Sequence, residues 1–206
     1  QGLLHIVPLS DNQDLARGRR NVFLANPGIE TRARALARYA SESMGYKRIL
    51  IISDASPESR EAATAFAAAL PATAQATVRP LTATDRAVRG QLTGILAGNV
   101  AAYDALFLPI RDEQAASFAL FRILQDSVNT QVFGIDDWNY FAGLDKELLS
   151  RFRVVVPDSY EEGNDPEAME RFRTAYLTEF RTLPTIYAQQ GYDLMRFLLH
   201  SYARHM

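Results

Sequence analysis

The sequence predicts an α/β fold built on a parallel sheet with helices on both faces. Short apolar, strand-like runs alternate with amphipathic helical segments at least four times along the chain. The links between them are short, as strand–helix units prefer. A length of 206 residues suits one domain or two small ones, and a formal charge of −2 gives no electrostatic case for nucleic acid or an anionic membrane.

Residues 3–9 and 21–25 read as short strands, the second closed by Asn26-Pro27-Gly28. Ala33, Leu36, Ala37, Ala40 and Met44 then fall on one helical face, with Gly45 placed to end that helix. Ile49-Leu50-Ile51-Ile52 is a continuous apolar run, suited to a strand covered on both faces. Ser56-Pro57 reads as an N-cap followed by proline at the first helical position. Thr77-Val78-Arg79-Pro80-Leu81 is a weaker strand, and its proline suits a sheet edge. Thr84-Asp85 starts a helix that turns Val88, Leu92, Ile95 and Leu96 inward. Gly90, Gly94 and Gly98 recur every four residues there, a spacing that suits close helix–sheet packing.

Residues 105–108 form the next buried strand, followed by a helix over 112–126 and a strand over 131–135. A loop with a short helix leads to a strand at 153–156. Asp165-Pro166 caps a helix carrying Met169, Phe172, Tyr176 and Phe180, which Leu183-Pro184 breaks. A last helix spans 187–203.

Several chemistries are excluded or unsupported. Cysteine is absent, so no disulfide, zinc-thiolate site or cysteine nucleophile exists. No run of about 18 apolar residues is present to span a bilayer. Phosphate-cradling glycine loops and the G-x-S-x-G elbow are missing, and no histidine pair has the zincin spacing. No catalytic residue, cofactor or metal is expected.

Ligands of open α/β sheets bind beyond the carboxyl ends of the strands, and three such ends carry polar residues. The first is Asp54-Ala55-Ser56-Pro57-Glu58-Ser59, where a helix N-terminus offers backbone N–H groups to an anion or simply carries a cap and an acidic first turn. The second holds Arg111, suited to a two-pronged carboxylate contact or to surface pairing with Asp112 or Glu113. The third is Gly134-Ile135-Asp136-Asp137-Trp138-Asn139-Tyr140. Asp136 suits a ligand ammonium with Trp138 or Tyr140 stacking beside it; equally, the aspartate caps a turn and Trp138 fills space.

The order of these pieces resembles the type I periplasmic binding proteins, the branched-chain amino-acid receptors in particular. The resemblance lies in Asn21 through Pro27, in Ala35-Leu36-Ala37-Arg38-Tyr39-Ala40, and in Gly45-Tyr46-Lys47-Arg48-Ile49 with a strand ending at Asp54. It continues in Tyr103 through Pro109, in Phe133 through Trp138, and in Phe172, Tyr176, Phe180, Pro184 and Gly191-Tyr192-Asp193. Leu106-Phe107-Leu108-Pro109 and the Gly134-x-x-x-Trp138 spacing also look like the binding-protein-fold domains of penicillin-binding-protein activators and related lipoproteins.

The resemblance implies two Rossmann-like (flavodoxin-like) lobes closing on a ligand. It places the end of lobe one and the crossing at 1–27, lobe two at 28–182, and a helix returning to lobe one at 183–206, with an earlier part of lobe one outside this sequence. It implies a non-enzymatic, periplasmic solute receptor, lipid-anchored in the activator-like case. Its partner is a small polar ligand or an envelope protein, with an ABC-transporter permease behind it. In the amino-acid receptors a Tyr-Gly pair stands where this chain has Glu58-Ser59, while the acidic residue for the ligand ammonium falls at Asp136. The last helix should then expose Leu194, Met195 and Leu198, a stripe through which two copies could pair.

Overall fold

The computed structural model describes residues 3–204 apart from 9, 11, 83–85, 98–99, 126–129, 145, 152 and 159–164. The chain forms two compact units, Gln1–Gly28 with Asp158–Met206, and Ile29–Pro157. The helix after Asp165 lies in the same compact unit as the two termini.

The unit Ile29–Pro157 begins with helix α1 (Ile29–Arg38), which runs into a π-helical turn at Tyr39–Ser43. Gly45, at φ +71°, then reverses the chain in a backbone region that favours glycine. Strand β3 (Arg48–Ser53), helix α2 (Pro57–Ala69), β4 (Gln75–Pro80), α3 (Arg86–Leu96), β5 (Ala105–Phe107), α4 (Glu113–Gln125), β6 (Gln131–Phe133) and α5 (Lys146–Arg151) follow; strands β1 (His5–Val7) and β2 (Val22–Leu24) lie in the other unit. The start expected for α3 at Thr84-Asp85 and the third glycine, Gly98, lie outside the described residues.

The four strands make one parallel sheet in the order β4-β3-β5-β6. The strand expected at 153–156 contributes only a single parallel bridge, from Val155 to Phe133. Pro80 sits on β4, the edge strand, where a missing N–H costs no ladder bond. β3 is central and buries Ile49, Leu50, Ile51, Ile52 and Ser53, which explains its unbroken apolar run.

From β3 the chain steps outward to β4, then crosses back over β3 to β5 and on to β6. Right-handed crossovers put α2 on one face and α3 and α4 on the other. The pairing of α1 with α2, and of α3 with α4, agrees. Phe66 of α2 stacks on Phe107 of β5 at 4.3 Å between centroids. The reversal of direction leaves a crevice between the carboxyl ends of β3 and β5, the switch point of the sheet. One expectation is corrected: a Cβ on Gly90 or Gly94 would meet nothing within 4 Å, so these glycines do not mark close packing.

At the opposite end of the sheet, Asp104 ties β3 to the start of β5. Its carboxylate accepts from the backbone N–H groups of Lys47 and Arg48, both at 2.9 Å, and from the Arg48 guanidinium at 2.9 Å. The bond from Arg48, then those from the two backbone groups, hold the Asp104 carboxyl down at about 2, against an ordinary value of 3.8. A carboxyl depressed by folding stabilises fully above its unfolded value and loses that stabilisation as pH falls through the folded one. The contribution is thus complete above about pH 4 and disappears toward pH 2. Asp104→Asn should cost about 1–2 kcal/mol at pH 7, allowing for the exposed Arg48 partner. The difference from wild type should shrink in urea melts between pH 4 and 2; a constant difference would remove this link.

The other unit holds β1 (His5–Val7) and β2 (Val22–Leu24), paired in parallel, with α6 (Pro166–Phe180) and α7 (Ile186–Arg204). Asp165 caps α6 by accepting from the Ala168 N–H at 2.9 Å, ahead of Pro166 at the first position. Phe172, Tyr176 and Phe180 make an i, i+4, i+8 aromatic stripe on α6, and Tyr192 of α7 stacks on Phe172 at 4.2 Å. α7 exposes Met195, Phe197, Leu199 and Tyr202, while Leu194 and Leu198 are half-buried. No described helix is long and apolar enough to cross a membrane.

Candidate functional site

The switch-point crevice is lined by the loops that leave β3 and β5, by the end of β4 and by the first turns of α3 and α4, and the loop after β6 reaches its edge through Asp137. β3 ends at Ser53, and the chain must turn sharply to enter α2 at Pro57. Ser56 is the N-cap: its Oγ accepts from the Ser59 N–H at 3.2 Å. Asp54 closes the turn. Its Oδ1 accepts from the Ser56 N–H at 2.8 Å and the Ser56 hydroxyl at 2.5 Å. Its Oδ2 accepts from the Arg111 N–H, on the β5 loop, at 2.5 Å. Ser59, fully buried, accepts from the Asp54 N–H at 2.9 Å and donates its hydroxyl to the Pro109 carbonyl. Asp54 and Ser59 together fasten the β3 loop to the β5 loop.

Arg111 joins the third loop to these two. Its Nε donates to Asp137 at 2.7 Å and its Nη1 lies 3.3 Å from Glu58. The Asp137 bond first, then the charges of Asp137 and Glu58, make the guanidinium hold its proton more tightly than usual. The surface pairing expected with Asp112 or Glu113 is replaced by these two carboxylates from neighbouring loops. Asp112 instead caps α4, accepting from the Ala115 N–H at 2.7 Å. Glu113 accepts from the Gly143 N–H at 2.5 Å.

Two further placements differ from the sequence expectation. Trp138, offered as a stacking surface, is 0% exposed and its indole N–H donates to the Ile110 carbonyl at 2.8 Å. The ring lies flush on Gly134, where an added Cβ would come within 2.5 Å of Trp138 Cε3. The Gly134-x-x-x-Trp138 spacing is a packing device, so the ring presents no face to a ligand. Tyr140, by contrast, is exposed. Asp136, offered as an ammonium acceptor, lies 3.3 Å from Nη2 of Arg32, which is only 6% exposed. A cation of the chain itself already faces this carboxylate.

Arg32 is the site residue that the pattern reading passed over. A signal existed: Arg32 adjoins Ala33 and stands four residues before Leu36, on the inward stripe of α1. A charge at an inward position implies a paired carboxylate.

The crevice has a volume of about 640 Å³. Its walls include Asp54, Ser56, Leu81, Arg89, Arg111 and Gln114. The sequence-named residues thus divide. Asp54, Ser56 and Arg111 line the crevice, and Glu58 and Asp137 are held at its edge through Arg111. Ser59 and Trp138 are buried behind the loops, and Asp136 is met by Arg32. Among the described residues no group of three His, Asp or Glu side chains is placed to hold a metal ion.

No family model matches the sequence, and no curated protein does. Solved structures do match. An ABC-transporter substrate-binding protein from Desulfitobacterium hafniense, in complex with Leu, superposes with a TM-score of 0.67 at 19% identity, over 93% of this chain and 55% of that one. A leucine-binding protein from Thermotoga maritima gives a TM-score of 0.64 at 19% identity, over 98% and 57%. A solute-binding protein from Rhodopseudomonas palustris, in complex with 3,4-dihydroxybenzoic acid, gives 0.53 at 16% identity, over 96% and 54%. The chain spans about half the length of the solved structures it matches. It has the fold of the type I periplasmic binding proteins.

Proposed function

We propose that this chain is the α/β gripping lobe, with part of its neighbour, of an extracytoplasmic solute-binding protein. It would hold a small polar ligand, an amino acid or amide-like molecule, at the β3/β5 switch point and would catalyse no reaction. The observation that carries the reading is the crevice itself. Three loops converge at the carboxyl ends of the strands and are fixed to one another by Asp54, Ser59 and Arg111. A site whose walls are set before the ligand arrives loses less entropy on binding. The fold is shared with binding proteins solved with leucine and with a dihydroxybenzoate. A periplasmic location and delivery to an ABC-transporter permease go with this reading.

A second reading has its own support. Glu58, Asp136 and Trp138, three of the expected ligand contacts, already have partners within the chain. That favours a scaffold that keeps the fold and binds a cell-envelope protein, as in the penicillin-binding-protein activator-like lipoproteins. A thermal-shift screen separates the two. Amino acids, small amides, small organic acids, peptides and cell-wall fragments are each added at millimolar concentration. A ligand present at about 100 times its dissociation constant stabilises by about 2.7 kcal/mol. A shift confined to one chemical class supports the receptor. A flat screen on a folded sample sinks it and leaves the scaffold. Pairing of copies through α7 is checked separately by sedimentation, where a monomer at all concentrations removes it.

A further inference from the structure

Two arginines line the switch-point crevice, and they are in different states. Arg111 is engaged on its side chain by Asp137 and Glu58, so its donors already face carboxylates. The two carboxylates on the same walls are engaged too, Asp54 by three donors and Asp112 by the α4 cap. Arg89, on the first turns of α3, is exposed. Its Cζ lies 5.7 Å from the centroid of the Phe118 ring on α4. A ring under the guanidinium steadies the side chain while leaving its in-plane N–H groups open. Such a planar fork matches a carboxylate. Beside it on the crevice wall lies the half-buried Val88, backed by the buried Leu81 and Ala115.

We infer that Arg89 is the anion-contact residue of the crevice, and that the ligand it takes is a small carboxylate with an apolar body. This rests on the solute-binding reading and adds the ligand's charge and the residue that reads it. Arg111, the arginine that the sequence singled out, holds the loops instead. An apolar acid would seat its carboxylate on the Arg89 fork and its hydrocarbon against the half-buried Val88.

The test uses three probes of one shape: 3-methylbutanoate, 3-methylbutanamide and 3-methylbutylamine. Each is titrated into the whole chain, wild type and Arg89→Met, and followed by the arginine Nε–Hε resonances in NMR. Arg89 is exposed, so the methionine variant should keep the wild-type melting temperature. The acid should bind wild type at least tenfold more tightly than the amide or amine, moving the Arg89 resonance. Arg89→Met should weaken the acid at least tenfold, and Arg89→Lys, which keeps the charge but not the fork, should fall between. Equal affinity of the acid for wild type and Arg89→Met would overturn the assignment. So would tighter binding of the amine or amide, and in that case the crevice still takes solutes. Silence from all three probes would overturn the Arg89 assignment alone, because the solute reading stands or falls on the wider thermal-shift screen.

Discussion

Trp138→Ala should destabilise the Ile29–Pro157 unit by about 3–5 kcal/mol, the largest single loss available in it. The ring is the largest fully buried side chain, and truncation leaves a void above Gly134 that a glycine cannot fill. It also strands the Ile110 carbonyl, which accepts the indole N–H at 2.8 Å. That carbonyl is next to Arg111, so the void lies directly behind the crevice. Trp138→Phe keeps most of the volume and loses the N–H, and should cost about 1–2 kcal/mol. The protein has a single tryptophan, so urea melts should be followed by circular dichroism at 222 nm rather than by fluorescence. If Trp138→Ala cost under about 1 kcal/mol, the ring would not be packed as described, and a ligand-facing role would return.

Arg32→Ala should cost about 2–4 kcal/mol, because it leaves the Asp136 carboxylate beside the core without its cation. The effect falls short of a fully buried pair, since Asp136 keeps 18% side-chain exposure to water. The double variant Arg32→Met with Asp136→Leu should regain much of the loss, because two apolar groups leave no uncompensated charge. A double-mutant cycle reads the coupling directly. Additive single effects would mean that the 3.3 Å approach carries no energy, and would free Asp136 for a ligand ammonium.

The fold was legible in the sequence because its signals are local. The Ile49–Ile52 run, the Ser56-Pro57 and Asp165-Pro166 caps and the glycine at Gly45 each report on their own segment. The edge position of β4 followed from one proline. The site was only half legible, because its chemistry depends on which loops meet. The β3 and β5 loops are more than fifty residues apart, yet Asp54 and Arg111 are bonded across the switch point. Nothing local to Arg111 shows that Asp137 and Glu58 will reach it first. Nothing local to Trp138 shows that the ring will turn down onto Gly134. The strand at 153–156 shrank to one bridge because β6 itself spans only Gln131–Phe133, leaving little ladder to extend.

Small solutes are proposed to bind at the β3/β5 switch point. Titrating the isotope-labelled chain with whichever compound gives the largest thermal shift, and mapping the backbone amides that move, decides whether they do. Saturable shifts are expected at residues 54–59, 81, 87–91 and 109–115. The amides of Lys47, Arg48 and Asp104, at the opposite end of the sheet, should stay still. Shifts centred on that far end or on α7, or no saturable shift from any compound, would contradict it.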